Sequence, residues 1–283
     1  MSSRLRFSSA ALAGPAWFWM TLFFLLPLGI VVFYSVLSKG DYGGVTLPFT
    51  FGSYGRFVDP LYLRILARTF LLAALTTVLC LVIGYPLAYF IAFHGGARKN
   101  LLLILVVLPF WTSFLVRTYA WIFLLRDTGL INTVLIRLGL IRAPLPLLYN
   151  DGAVLLGLVY GFLPLMVLPL YASMERLDRS LLEAAADLGA RPAAALARVT
   201  IPLTGPGIYA GSVLVWISSL GAYLTPDLLG GGKSILIGGL VQNQFTTARD
   251  WPFGAAVSVL LMAAVGAVLV EYRRRGGYAG GTL

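Results

Sequence analysis

Cysteine and histidine each occur once in this 283-residue chain, and charged residues make up only 11% of it, against roughly 25% in an ordinary soluble domain. The lone Cys80 excludes an intrachain disulfide and reads as a packing residue of an apolar helix. The lone His94 has no second ligand near it in sequence, so it reads as interfacial rather than metal-binding. No Ser/His/Asp set, paired histidines or cysteine cluster offers bond-breaking chemistry, which argues against an enzyme. The scarcity of charge argues equally against a water-soluble fold.

What is present is apolar surface: 59% of the residues are hydrophobic. Charges divide the chain into uncharged runs over residues 7–38, 69–93, 100–116, 152–174, 199–226 and 251–270. A membrane helix needs about 20 such residues. Five runs suffice alone, and the third continues past Arg117 to Leu125. The expected fold is an all-α integral membrane protein, one domain over 1–283, with six spans near 14–37, 69–93, 101–125, 152–174, 203–227 and 251–271. Arg4 and Arg6 precede an apolar run as in a signal peptide, but the small-residue pattern Ala11 to Ala13 comes before that run, so the segment is expected to stay as the first helix. Residues 234–248 are uncharged but short, polar and Gly-containing, and read as an external interfacial or re-entrant segment.

Basic residues near span ends set the orientation. With both termini cytoplasmic, Arg4, Arg6, Arg98, Lys99, Arg176, Arg179, Arg191, Arg198 and Arg273 to Arg275 face inward. The N-terminal pair and the C-terminal triplet are the strongest signals, and an even number of spans makes them agree. The net charge of +10 then belongs to membrane anchoring and an external surface. No nucleic-acid motif accompanies it.

A polar insert over 175–202 interrupts the apolar pattern. Ser180 and Glu183 have the spacing of a capping box. Leu181, Leu182, Ala185 and Leu188 recur at one-turn spacing, and Arg179 and Glu183 stand four apart as an ion pair. Gly189 suits a left-handed helix stop, Pro192 the first turn of a second helix, and Pro202 its end. A first helix of about nine residues and ~14 Å is marginal alone in water. Lipid offers such a segment nothing to pack on, so docking to a soluble partner is the expected reason for its folding, with small Ala184, Ala185 and Ala186 letting another surface approach.

Glu183-Ala184-Ala185, then Gly189, then Val199, Ile201 and Pro202 resemble the coupling-loop signature of ABC importer permeases, with Val199 and Ile201 where Ile and Leu are usual. The resemblance implies a cytoplasmic loop seated in a cleft of an ATPase, coupling its closure to the membrane helices. Residues 108–121 (LPFWTSFLVRTYAW), 221–231 (GAYLTPDLLGG) and 244–254 (QFTTARDWPFG) resemble permeases of the spermidine/putrescine importer subfamily. That likeness runs through nearly the whole chain. It implies a bacterial inner-membrane permease paired with a second, non-identical permease, two cytoplasmic ATPase subunits and an extracytoplasmic solute-binding protein. It further implies no cofactor on this chain, since ATP and Mg would belong to the partner ATPase. An importer for an amino-acid derivative or phosphonate is the nearest alternative. A stand-alone channel or secondary transporter would leave the coupling signature unexplained.

Three further features bear on the solute. Trp216, Leu220, Tyr223 and Asp227 have offsets of 0, 4, 7 and 11, one face of a continuous fifth helix. Aromatic faces attract ammonium groups by about 0.5–2 kcal/mol, and a carboxylate can receive the charge, so Trp216, Tyr223 and Asp227 form a candidate path for a cation. Arg117, in the third span, is expected to pair with a neighbouring helix, to gate, or to contact the partner permease. Asp127, Asn132, Arg137 and Arg142 lie in a polar connection whose Ile131, Leu135 and Leu138 fit a flat interfacial helix, a surface suited to a docking protein. Gly230-Gly231-Gly232-Lys233-Ser234 imitates the end of a phosphate-binding loop, but Asp227 stands where that motif needs glycine.

Overall fold

The computed structural model describes residues 14–232 and 234–274. Arg4, Arg6, Lys233 and Arg275 lie outside the described residues, as do the side chains of Arg273 and Arg274. The chain forms two compact units, one drawn from Met1–Leu63 with Leu240–Leu283, the other Arg64–Gly239. Among the described residues, five helices are long and apolar enough to cross a membrane: α1 (Gly14–Ser35), α3 (Pro60–His94), the segment Phe114–Arg137, α7 (Asp151–Glu175) and Trp251–Glu271. The helices α9 (Pro192–Leu203) and α10 (Gly205–Leu220) pass the same test only when taken together as a bent pair, which makes six if that pair is one span.

In the first unit, α1 leads into a short antiparallel hairpin, β1 (Leu37–Lys39) and β2 (Val45–Phe49), with Ser38 opposite Thr46. Gly43 and Gly44 turn it with φ of 92° and 78°. The helical expectation did not include it, because three- and five-residue strands carry little periodicity. A short α2 (Gly52–Arg56) follows. The segment read as interfacial or re-entrant holds a ten-residue helix, α12 (Ile237–Thr246), and the last helix, α13 (Trp251–Arg274), packs along α1. Buried Asp250 starts that helix by accepting from Phe253 N at 3.2 Å and from Arg56 Nη1 at 2.8 Å.

The second unit is built around α7. One face holds Cys80, Met166, Val167, Leu170 and Val215 in a buried cluster; another holds Leu72, Val154, Leu158 and Leu229. Lipid tails are as apolar as leucine, so close packing rather than water exclusion must bring such helices together. Gly207 and Gly211, four apart on α10, supply it. A Cβ at Gly207 would stand 2.5 Å from Ser173 Cβ, and one at Gly211 2.8 Å from Met166 Sδ.

Two expected spans are broken. Over 101–125 the chain forms α4 (Lys99–Trp111) and α5 (Phe114–Leu125), because Thr112 and Ser113 are extended and the Thr112 hydroxyl donates to the Pro109 carbonyl at 2.8 Å. Over 203–227 the chain bends by 68° between α9 and α10. It then leaves helix after Leu220 and resumes as α11 (Leu224–Gly230). Pro226 has no N–H to donate, so it fits the first turn of a new helix and not the interior of a continuing one. A buried Asn132 on α6 (Leu130–Arg137) ties down the preceding connection, donating to Arg126 O and Leu145 O and accepting from Leu145 N. It is therefore a staple of the loop and not part of an exposed docking surface, while Asp127, Arg137 and Arg142 are exposed.

Candidate functional site

The insert folds as α8 (Ser180–Asp187), a left-handed turn, and α9. The capping box does not form. The Asp178 carboxylate, two residues upstream, instead accepts from Ser180 N at 3.0 Å, and this bond holds the Asp178 carboxyl below the usual carboxylate range. Glu183 is left exposed in the first turn. The C-terminal stop is as expected: Gly189 has φ of 79°. Its N–H bonds Ala186 O at 2.8 Å, and Ala190 N bonds Ala185 O at 3.0 Å, the paired bonds that satisfy the last carbonyls of a helix. Leu188 N bonds Ala184 O at 3.1 Å. The carbonyls of Ala184, Ala185 and Ala186 thus close the turn, while the small side chains of Ala184 and Ala186 are exposed.

Pro192 opens α9, as expected. Pro202 stands one residue from its end at Leu203, after a wide turn over Leu196–Thr200 in which Ile201 N reaches Leu196 O. Val199 and Ile201 flank the end of that wide turn, and a widened turn next to a proline is a recognised origin of a helix bend. Thr204 sits at the bend, buried, its hydroxyl 2.7 Å from Thr200 O and 3.1 Å from the Tyr85 hydroxyl of α3.

Further contacts tie the insert to the neighbouring helices. Arg179 Nη2 donates to Ala92 O at 3.4 Å, in place of the expected pair with Glu183. Lys99 forms an ion pair with Glu175, and its ammonium lies 5.4 Å from the centre of the Tyr171 ring. Tyr85, Thr204, Lys99 and Glu175 were missed in the sequence, since nothing in spacing alone joins residues so far apart. On the open side, Leu188 is 89% and Leu181 45% exposed. Both lie on α8 or at its C-terminal cap.

The second group of residues is scattered. Trp216 packs against Phe70, centroids 5.5 Å apart at 66°. Tyr223 lies in the non-helical link and is half-exposed, while Asp227 is exposed in the first turn of α11. Because α10 ends at Leu220, these three do not share one helix face; Asp227 N bonds the Tyr223 carbonyl at 3.0 Å. Arg117 on α5 has its Nε and Nη1 buried with no hydrogen-bond partner among the described residues. Its guanidinium carbon lies 5.6 Å and 6.0 Å from the Phe114 and Phe110 rings. Among the described residues of the glycine-rich loop, Gly231 rests against the Tyr149 ring and the Ser234 hydroxyl donates to Asp151 Oδ1 at 2.7 Å.

A bundle of membrane-length apolar helices with an exposed, glycine-closed insert defines a membrane permease, and the chain belongs to the family of binding-protein-dependent transport system inner membrane components, whose pattern it matches over residues 84–272. It is 43% identical over 256 residues to the spermidine/putrescine transport system permease protein PotB of Escherichia coli (strain K12), covering 90% of this chain and 93% of that one. The corresponding Haemophilus influenzae protein is 40% identical, covering 90% of each. The fold is also that of a chain in a bacterial alginate ABC transporter solved in complex with an alginate pentasaccharide-bound periplasmic protein, with TM-score 0.76 at 18% identity over 98% of this chain and 97% of that one.

Proposed function

We propose that the chain is the membrane-spanning permease of an ATP-driven, binding-protein-dependent importer of polyamines, spermidine and putrescine. The observation that carries this reading is similarity to polyamine permeases along nine-tenths of both chains. The exposed insert supports the rest. Its Glu183-Ala184-Ala185 run within α8, Gly189 stop and the Val199-to-Pro202 stretch offer a compact apolar-tipped helix to an ATPase cleft.

In this reading both termini and the insert are cytoplasmic. Two ATPase subunits bind ATP and Mg, while this chain binds no cofactor. A second, non-identical permease completes the path, and an extracytoplasmic binding protein delivers the solute. ATPase closure pushes on α8. The push reaches α3 through the Arg179 bond to Ala92, and reaches the α9–α10 bend through the Thr204–Tyr85 contact. The path then alternates between its two openings. Tyr223 and Asp227, both open to solvent, offer an aromatic face and a carboxylate to a primary amine.

The test uses the cognate binding protein and the reconstituted complex. Spermidine and putrescine are expected to bind the binding protein and to stimulate ATP hydrolysis several-fold, and anionic control solutes to do neither. Selective stimulation by an anionic solute would keep the importer and overturn the polyamine assignment.

A further inference from the structure

Arg117 is placed where a charge needs a partner. Arg117 is partly buried, and a cation within a membrane segment is ordinarily paired, bonded to carbonyls, or turned toward protein or water for a reason. Here Nε and Nη1 have neither kind of partner among the described residues. The cavity beside the residue is about 10 Å³, lined by Phe114, Thr118, Trp121, Tyr160 and Thr225 as well as glycines. That volume is at the limit for one water molecule. No carboxylate stands in the lining, and the two phenylalanine rings near the guanidinium compensate its charge only in part.

The elements around the cavity are hinged. The extended residues Thr112 and Ser113 precede α5, and α11, which brings Thr225, lies between a non-helical link and Gly231 with φ of 60°. The wall can therefore separate without unwinding a helix internally.

We infer that Arg117 is an electrostatic barrier to cations: in the closed path its uncompensated charge repels ammonium groups, and it withdraws when α5 and α11 part. This rests on the polyamine-importer reading. Fixed positive charge in a constriction excludes cations by the same means in other membrane pores.

The experiment is passive putrescine flux into proteoliposomes of the complete complex, without ATP or binding protein. Arg117→Gln is expected to raise the flux by roughly tenfold or more, since a unit charge repels strongly at such short range. Arg117→Lys, which keeps the charge but not the planar fork, is expected to stay as tight as the unmodified complex. Thr225→Asp keeps the arginine and neutralises it, and should leak as Arg117→Gln does. An assembled Arg117→Gln or Thr225→Asp complex that remains sealed would overturn the inference, as would Arg117→Lys leaking as much as Arg117→Gln. Failure of the polyamine reading would appear separately, as absence of ATP- and binding-protein-dependent spermidine uptake by the unmodified complex.

Discussion

Gly189→Val is expected to reduce association of the ATPase subunits by roughly ten- to hundredfold, with solute-stimulated hydrolysis lost in parallel. The backbone there has φ of 79°, a conformation that costs a non-glycine residue about 1–3 kcal/mol, and each ~1.4 kcal/mol is tenfold in an equilibrium. A β-branched residue is the worst case. A Cβ at this position meets nothing within 4 Å. The loss is therefore one of backbone geometry and not of crowding. The turn that directs Ala190 and α9 opens, and the paired bonds to Ala185 and Ala186 go with it. Asparagine tolerates the left-handed region better than other side chains, so Gly189→Asn should retain more coupling than Gly189→Ala, and Gly189→Ala more than Gly189→Val. Co-purification of the ATPase with each variant measures the series, and equal association across it would contradict the role given to this turn.

Gly211→Leu is expected to have the largest effect on folding, lowering the melting temperature by roughly 5 °C or more and reducing the assembled protein recovered from membranes. Even a single added carbon at Gly211 would lie 2.8 Å from Met166 Sδ and 3.1 Å from Met166 O. The latter is backbone, which cannot swing aside. Overpacking typically costs 1–3 kcal/mol and sometimes more, and a few degrees per kcal/mol is the usual conversion for chains of this size. Gly266→Ala serves as the comparison, since a Cβ there meets open space and the helix should gain slightly from the exchange. Similar melting temperatures for Gly211→Leu and Gly266→Ala would show that the α7–α10 contact does not hold the unit together.

Local signals with a single cause were readable in the sequence. Long uncharged runs located the apolar helices because lipid demands them, and Gly189 and Pro192 marked a stop and a start because backbone chemistry allows little else there. Competing local solutions were less readable. Ser180 had the right spacing for a cap, but Asp178 reached its N–H first. The spacing of Trp216, Tyr223 and Asp227 fits one helix face, whereas the helix stops at Leu220 and Pro226 lies in the first turn of α11, which separates Tyr223 and Asp227 from Trp216. Pro202 marks the end of its helix to within one residue, at Leu203, but nothing local announces the wide turn over Leu196–Thr200 before it. Long-range contacts were hidden altogether. The Thr204–Tyr85 contact joins residues 119 apart and the Lys99–Glu175 pair residues 76 apart. Gly207 and Gly211 carried a legible small-residue spacing, whose meaning depended on the presence of Pro169, Ser173 and Met166 opposite.

A thiol at position 188 gives the most direct test of docking. Leu188 is 89% exposed at the end of α8, and the one native cysteine, Cys80, is fully buried. Leu188→Cys therefore places one reactive group at the tip of the insert. In the assembled complex, a short thiol-directed cross-linker is expected to join this position to the ATPase subunit, with a yield that changes when ATP binds. Cross-linking absent in an assembled, ATP-hydrolysing complex, with the thiol still freely labelled by a water-soluble reagent, would contradict docking of the insert on the ATPase.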